Sequence, residues 1–390
     1  MPNTILTSAK AIYDELIFWR REIHRMAETG FDLENTKAFI KSELLKMGIE
    51  ATDVGRCGLS AVIGSEKEVF LLRADMDALP IAEESSLPFA AEGGNMHSCG
   101  HDMHSAMLLG AAKLLKEREE SLPFSVKLMF QPAEETLEGA DDMIRAGILK
   151  FPKPTVAMMI HIAVTNEIRE NTVVVSSGIT APSADFFEIT VKGKGCHGSQ
   201  PHLGIDPITA AADIITSLGV LRSRELSPFS PSLLTIGRIE TDGASNVIPN
   251  SVSLYGTIRS YDEEEREFIK RRLFEIADNT AKALRCSADL NFFSSCPPLR
   301  NDEGVALAVY ENLKSVLGEE SVILSKEKGT GSEDFSYIAQ RVPSVMVALT
   351  MKGEYPLHHP KAVFDESVLP LGAAVFAVSA LGVPEKIRGV

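Results

Sequence analysis

The chain has 390 residues, of which 44% are hydrophobic and 24% charged, a composition that excludes long disordered tracts and, at this length, predicts two domains rather than one enlarged core. With 39 basic against 54 acidic residues the net charge is −15, which repels a phosphate backbone; no basic patch offsets it, so nucleic acid is excluded as an expected partner. No apolar run of the length a membrane span needs stands out, and Met1 to Ile12 lacks the basic and apolar regions of a signal peptide, so no membrane partner and a cytoplasmic location are expected.

Apolar spacing through Ala9 to Met26 and Phe39 to Met47 predicts two helices, the second stopped by Gly48. Strands follow at Ser60 to Ile63 and Val69 to Arg73, then a helix from Asp102 to Lys116. A strand at Ser125 to Phe130, a short helix from Asp141 to Ala146 and a strand at Val156 to Ile160 continue an alternation that implies α/β layers with a mainly parallel sheet. From Pro182 to Ser295 the order becomes strand (Asp185 to Val191), helix (Asp206 to Ser223), two strands (Leu233 to Ile239 and Ser251 to Arg259), helix (Asp262 to Leu284) and strand (Ala288 to Phe293), the βαββαβ order of a ferredoxin-like domain. Helix (Gly304 to Val316), strand (Ser344 to Leu349) and helix (Glu366 to Ala380) then rejoin the first sheet. The expected organisation is a discontinuous catalytic domain, residues 1–181 and 296–390, interrupted by a ferredoxin-like domain at 182–295.

Cys57, Cys99, Cys196, Cys286 and Cys296 are odd in number and scattered, so a special cysteine here is a ligand rather than half of a bridge. His97, Cys99, His101, Asp102 and His104 crowd into eight residues at a helix entrance, where a thiolate and an imidazole two positions apart can reach one metal ion. Glu134 and Glu135 follow an apolar strand, at the C-terminal sheet edge where α/β folds bind ligands. Adjacent carboxylates there can divide their work, one on a metal and one on the substrate water. His161 ends the strand AMMIH, and His358 and His359 stand in a Pro-bounded loop. With Cys99, His101, Glu135 and His161, either of these last two would complete five ligands, enough for two ions sharing one bridge. Asp75 and Asp77 end a further strand, either orienting a metal-bound imidazole or capping the turn before Pro80.

HSCGHDMH, QPAEET, His161, GKGCHGSQPH, NVIPNSVSLYGTIRS, GSEDF and LHHP occur in this order over nearly the whole chain. The set resembles the aminoacylase and carboxypeptidase family of metal-dependent amidohydrolases, in the branch of hippurate hydrolase, auxin-conjugate hydrolases and N-acetyl-diaminopimelate deacetylase. The resemblance implies two divalent ions (Zn, Mn, Co or Ni) on Cys99, His101, Glu135, His161 and His358, with Cys99 bridging. It implies Glu134 as general base acting on a bridging hydroxide, and His197 as a donor to the tetrahedral oxyanion, in some relatives across a dimer. It places Asn246 and Arg259 on the substrate, Arg259 as a fork for its carboxylate. A homodimer formed through the small domain is implied too. Departures from the pattern are the doubled histidine of LHHP, Cys196 where glycine is usual, and Thr350 near an expected glycine.

The expected activity is hydrolysis of N-acetyl or N-benzoyl amino acids, small-molecule substrates, to a carboxylate and a free amino acid. A dipeptidase or carboxypeptidase of the same family is the nearest alternative. An inactive metal-binding sensor has no use for Glu134, and a thiol enzyme using Cys99 has no use for the paired carboxylates.

Overall fold

The computed structural model describes the backbone of residues 2–388 and the side chains of residues 5–383. The chain divides into two compact units: the first runs to Thr180 and takes up again at Arg300–Lys328 and from Asp334 onward, and the second is Ala181–Leu299 with Gly329–Glu333 added. That late return of Gly329–Glu333 has no counterpart in the 182–295 insertion read from sequence.

The first unit holds an eight-stranded sheet, in spatial order Ala51–Val54, Gly58–Ile63, Ser125–Gln131, Val69–Asp75, Val156–Val164, Ser344–Met351, Val173–Ser176 and Val322–Ser325. The four strands from Ser125–Gln131 to Ser344–Met351 are mutually parallel. Antiparallel neighbours flank them on both sides. Every residue of Val69–Asp75 and Ser125–Gln131 is buried, as expected of parallel strands covered on both faces. Parallel pairing also puts the C-terminal ends of these strands on one edge of the sheet, and that edge carries the site.

The helix His101–Lys116 is buried at every position except Lys113 and Lys116. The last helix, Leu369–Arg388, packs on it. The stretch Glu366–Val383 has a mean hydropathy of 1.7, enough by length and composition to cross a membrane, contrary to the sequence reading; 72% of it is buried inside the protein, where it serves as a core helix.

Some expectations are corrected. The single helix from Ala9 to Met26 is two, Pro2–Ala11 and Tyr13–Met26, with buried Ile12 at φ −100° and ψ 18° turning the chain between them. Three four-residue strands, Ala51–Val54, Val173–Ser176 and Val322–Ser325, were not expected. His161 does not end its strand, which runs on to Val164.

The second unit is a four-stranded antiparallel sheet, ordered Leu233–Thr241, Ser251–Arg259, Ala184–Lys192, Ser287–Cys296. Its helices Pro207–Val220 and Glu263–Ala283 pack on it and on each other, giving the ferredoxin-like arrangement. Asp206 and Asp262 cap them, accepting from the amides of Ile208 at 2.9 Å and Glu265 at 2.8 Å. Phe187, Ile189 and Val191 from one strand meet Ile214, Ile269 and Leu273 from the helices in the core. Arg266 ties helix to sheet through two bonds to buried Asp185, at 2.7 and 2.8 Å.

Candidate metal centre and active site

Gly100 brings the first ligand pair to the sheet edge. Its φ is +85°, and a Cβ there would sit 2.2 Å from Ile162 Cδ1; only glycine lets the helix start approach the strand carrying His161 this closely. Cys99 Sγ then lies 3.6 Å from His161 Nε2. His101 donates from Nδ1 to the backbone carbonyl of Asp77 at 2.8 Å, which leaves Nε2 facing the site. The carboxylate of Asp77 is 3.3 Å from the same Nδ1 and is engaged elsewhere. It accepts from the amides of Glu134 and Glu135, both at 3.1 Å, and so fixes the turn after the strand Ser125–Gln131. The sequence reading left Asp77 either orienting a metal-bound imidazole or capping a turn; its carbonyl takes the His101 N–H, and its carboxylate, lying near that N–H, holds the turn of Glu134 and Glu135.

Glu134 and Glu135 carboxylate oxygens lie 3.9 and 3.8 Å from His101 Nε2. His358 Nε2 lies 3.6 Å from Glu135, and its backbone amide is pinned to the carbonyl of Ser98 at 2.9 Å. His359 turns away: its ring stacks on Tyr355 at 4.4 Å, and its Nδ1 accepts from the amide of Lys361. The doubled histidine is thereby resolved in favour of His358. Thr350, at the position of the missing glycine, is buried and donates its hydroxyl to the carbonyl of Arg169 at 2.7 Å.

Among the side-chain groups close enough to hold an ion, two share Cys99, one with His101 and His161 and the other with Glu135 and His358; within each the ligand atoms lie within 4.8 Å of one another. Cys99 Sγ is common to both sets and would be the shared ligand if each set held an ion. His101 Nε2 and Glu135 Oε1 are buried without a hydrogen-bond partner among the described residues. Orphaned buried polar atoms are costly unless something unseen satisfies them, and converging N, O and S atoms satisfy borderline divalent cations. The residues present fit a dinuclear centre.

The other members of the crowded motif are not donors. His104 has both nitrogens engaged, Nδ1 on Asp75 at 2.6 Å and Nε2 on the amide of Ile162 at 2.9 Å. Asp102 sits in a buried cluster, 2.7 Å from Arg20 Nε and 2.8 Å from His24 Nδ1, and His24 Nε2 reaches Glu83 at 3.1 Å. Burial alone would raise the Asp102 pKa, but Arg20 and His24 outweigh it and hold the carboxyl well below its ordinary range. His97 is buried with no hydrogen-bond partner among the described residues, and burial pushes it down to about 3, which favours the neutral ring. Sequence reasoning missed Arg20 and His24. It also missed the buried Arg73, which bonds Asp75 at 2.7 Å and Asp334 of GSEDF at 3.0 Å; an arginine inside an apolar strand was the available signal.

On the second unit, His197 and Asn246 come together: Val247 pairs with His197, and the carbonyl of Asn246 accepts from the amide of Gly198 at 2.8 Å. Both are exposed. Arg259 closes the strand Ser251–Arg259, donates to Ser332 and lies 5.2 Å from the ring centre of Phe186. The ribbon bearing His197 and Asn246 leaves the other end of that strand, about 27 Å along it at 3.4 Å per residue.

Burial pushes the Cys99 thiol well above its ordinary value and the Glu135 carboxyl up to about 7. Raised pKa values in acids mean that the metal-free protein holds these protons near neutral pH, and ligation has to remove them. Burial works against a charged His101, but Asp75 outweighs it and raises that ring well above its ordinary value too, so metal uptake near pH 7 is expected to release roughly two to three protons, and affinity to rise with pH. Calorimetry in buffers of different ionisation enthalpy measures this; uptake without proton release would rule out thiolate ligation.

The comparisons agree with this geometry. Residues 71–381 match the family described as Peptidase family M20/M25/M40. The chain is 35% identical over 359 residues to the N-acetyl-L-cysteine deacetylase of Bacillus subtilis (strain 168), covering 91% of this chain and 85% of that protein. It is 36% identical over 399 residues to the IAA-amino acid hydrolase ILR1-like 4 of Arabidopsis thaliana, covering 97% and 88%. The crystal structure of the Bacillus subtilis YXEP protein, a dinuclear metal-binding peptidase of family M20, superimposes with a TM-score of 0.80 at 32% identity, covering 95% of this chain and 98% of that one. With its own five donors gathered at the sheet edge, the chain belongs to Peptidase family M20/M25/M40 and is a dinuclear metal-dependent hydrolase of amide bonds.

Proposed function

We propose that the protein hydrolyses N-acyl amino acids, with Glu134 as general base. The observation that carries this is the buried Glu134 carboxylate beside the donor set, its amide held by Asp77. When bound, two divalent ions supply Lewis acidity, easing deprotonation of the attacking water and polarising the acyl carbonyl. Glu134 takes the proton of that water and returns it to the leaving nitrogen. Asp77 is a positioning residue: its two bonds hold the Glu134–Glu135 turn, and its carbonyl sets the His101 ring.

His197 donates to the acyl oxygen as its charge develops. Its Nδ1 accepts from the amide of Ser199 at 3.1 Å, so in the neutral ring the proton resides on Nε2, the outward nitrogen, ready to donate. Asn246 lies beside His197 and lends a further polar group to the substrate, and Arg259 takes the amino-acid carboxylate in a bidentate fork.

His197 and Arg259 stand at opposite ends of one strand, too far apart for a small substrate to touch both within one chain. Their joint action requires two copies, which supports a homodimer with each site completed by its partner. The exposed edge strand Leu233–Thr241, with Leu233 and Ile239 unburied, is the surface proposed for that pairing.

The test is amine release from N-acetyl, N-benzoyl and dipeptide substrates by His197→Ala, Arg259→Met and the two coexpressed. Each variant alone is expected to lose roughly 10²–10³ in kcat/KM. Coexpression is expected to restore roughly a quarter of wild-type activity through mixed dimers carrying one intact site. Mixtures as inactive as the single variants would overturn the shared site, and a preference for dipeptides would overturn the substrate class.

A further inference from the structure

The strands Val69–Asp75 and Val156–Val164 pair in parallel only as far as Arg73 and Met159. Beyond that point each continues against another neighbour, Asp75 against Gln131 and His161 against Ala348. The sheet therefore opens between the strand leading to Asp77 and the strand that carries His161. The ring of His104, projecting from the helix His101–Lys116, fills the opening. Its Nδ1 donates to Asp75 Oδ1 at 2.6 Å on one side, and its Nε2 accepts from the amide of Ile162 at 2.9 Å on the other. The ring lies edge-on to His161, with centres 4.7 Å apart, and 5.5 Å from the ring of His101.

We infer that His104 is a positioning residue that sets the separation of the two halves of the donor set, holding His161 at its distance from Cys99 and His101. The inference rests on the dinuclear reading of the site. Three features support the assignment. With both nitrogens engaged, His104 has no lone pair left for an ion. The Ile162 amide, adjacent to His161 in the chain, is turned to a side chain where the strand pairing has lapsed. And Asp75, the other anchor, is itself fixed by Arg73, which Asp334 holds in turn. The clamp therefore runs from a rigid, fully buried ion-pair network to the backbone of a ligand. Side chains that orient ligands in this way typically change metal affinity 10- to 100-fold when lost.

The two ends of the clamp can be cut separately. In His104→Asn the amide nitrogen falls near the place of Nδ1, keeping a donor for Asp75 and abandoning Ile162. In His104→Gln the amide oxygen reaches the place of Nε2 and can still accept from Ile162. Metal-free wild type and both variants are titrated with cobalt(II), following the thiolate-to-cobalt charge-transfer absorption and the stoichiometry, with melting curves recorded alongside. Wild type is expected to bind two equivalents. His104→Asn is expected to weaken one of them by roughly 10- to 100-fold, and His104→Gln to recover most of that loss.

Two equivalents bound by both variants with wild-type affinity, the loss appearing only as a lower melting temperature, would overturn the inference. Failure of wild type itself to bind two equivalents would instead overturn the dinuclear reading. If His104→Asn does not fold, wild type labelled with ¹⁵N-histidine decides. On loading with ¹¹³Cd, His104 is expected to keep its Nδ1–H form without cadmium coupling while His101 and His161 couple. Cadmium coupling at His104 would make it a ligand and refute the positioning role.

Discussion

Glu134→Gln is expected to lower kcat by roughly 10²–10⁴, the range a positioned general base contributes, while two metal ions still bind. The amide is nearly isosteric with the carboxylate, so the Asp77 bond to the Glu134 backbone and the turn it holds survive the change. Only the capacity to accept a proton is lost. The five donors are separate residues, and the amide keeps the side chain's 3.9 Å approach to His101. Steady-state amine release paired with metal analysis of the same sample separates the two effects. A variant that keeps near wild-type kcat would remove Glu134 from the chemistry; one that loses its metal would make it a ligand.

The second large effect concerns stability. Asp102→Ala is expected to destabilise the metal-free protein by about 3–5 kcal/mol, the scale for breaking a buried ion pair by removing one partner. Arg20 is buried with its Nε 2.7 Å from Asp102, and His24, also buried, loses its 2.8 Å contact. Burial works against a charged His24, but its bonds to Asp102 and Glu83 outweigh burial and raise its pKa. Deleting Asp102 leaves two inward-facing groups with one anion fewer between them, deep between the helices Tyr13–Met26 and His101–Lys116. Urea unfolding of chelated protein measures the loss; a change under about 1 kcal/mol would mean that water reaches the cluster.

Much of the donor set was legible because its chemistry is written at strand ends and in short motifs. Cys99 and His101 stand at a helix entrance, Glu135 just past an apolar strand and His161 inside one near its C-terminal end, and the fold then gathers those positions on one edge. His358 and His359 could not be separated in sequence, since neighbouring residues in a loop have no periodicity to orient them. A backbone bond to Ser98 and the stacking of His359 on Tyr355 decide between them. His104 looked like another member of the crowd because its two partners, Asp75 and the amide of Ile162, are remote in sequence.

The break at Ile12 was hidden for a related reason. Ile5, Ala9, Ile12, Leu16, Trp19 and Ile23 are all buried and keep helical spacing across it, so the apolar stripe continues where the helix does not. Arg20 and His24 lie beside Leu16, Trp19 and Ile23 on the buried face of their helix, and Asp102 and Glu83, remote in sequence, make the burial of these polar groups possible. The strands Val173–Ser176 and Val322–Ser325 are too short to show alternation and owe their conformation to the neighbours they pair with.

The central claim, amide hydrolysis at a dinuclear centre, is tested most directly by adding manganese or zinc back to chelated protein while following amine release from N-acetyl and N-benzoyl amino acids. The account predicts no release without metal and full activity at two equivalents per chain. Release by the metal-free protein, or none from any substrate at two equivalents bound, would contradict it.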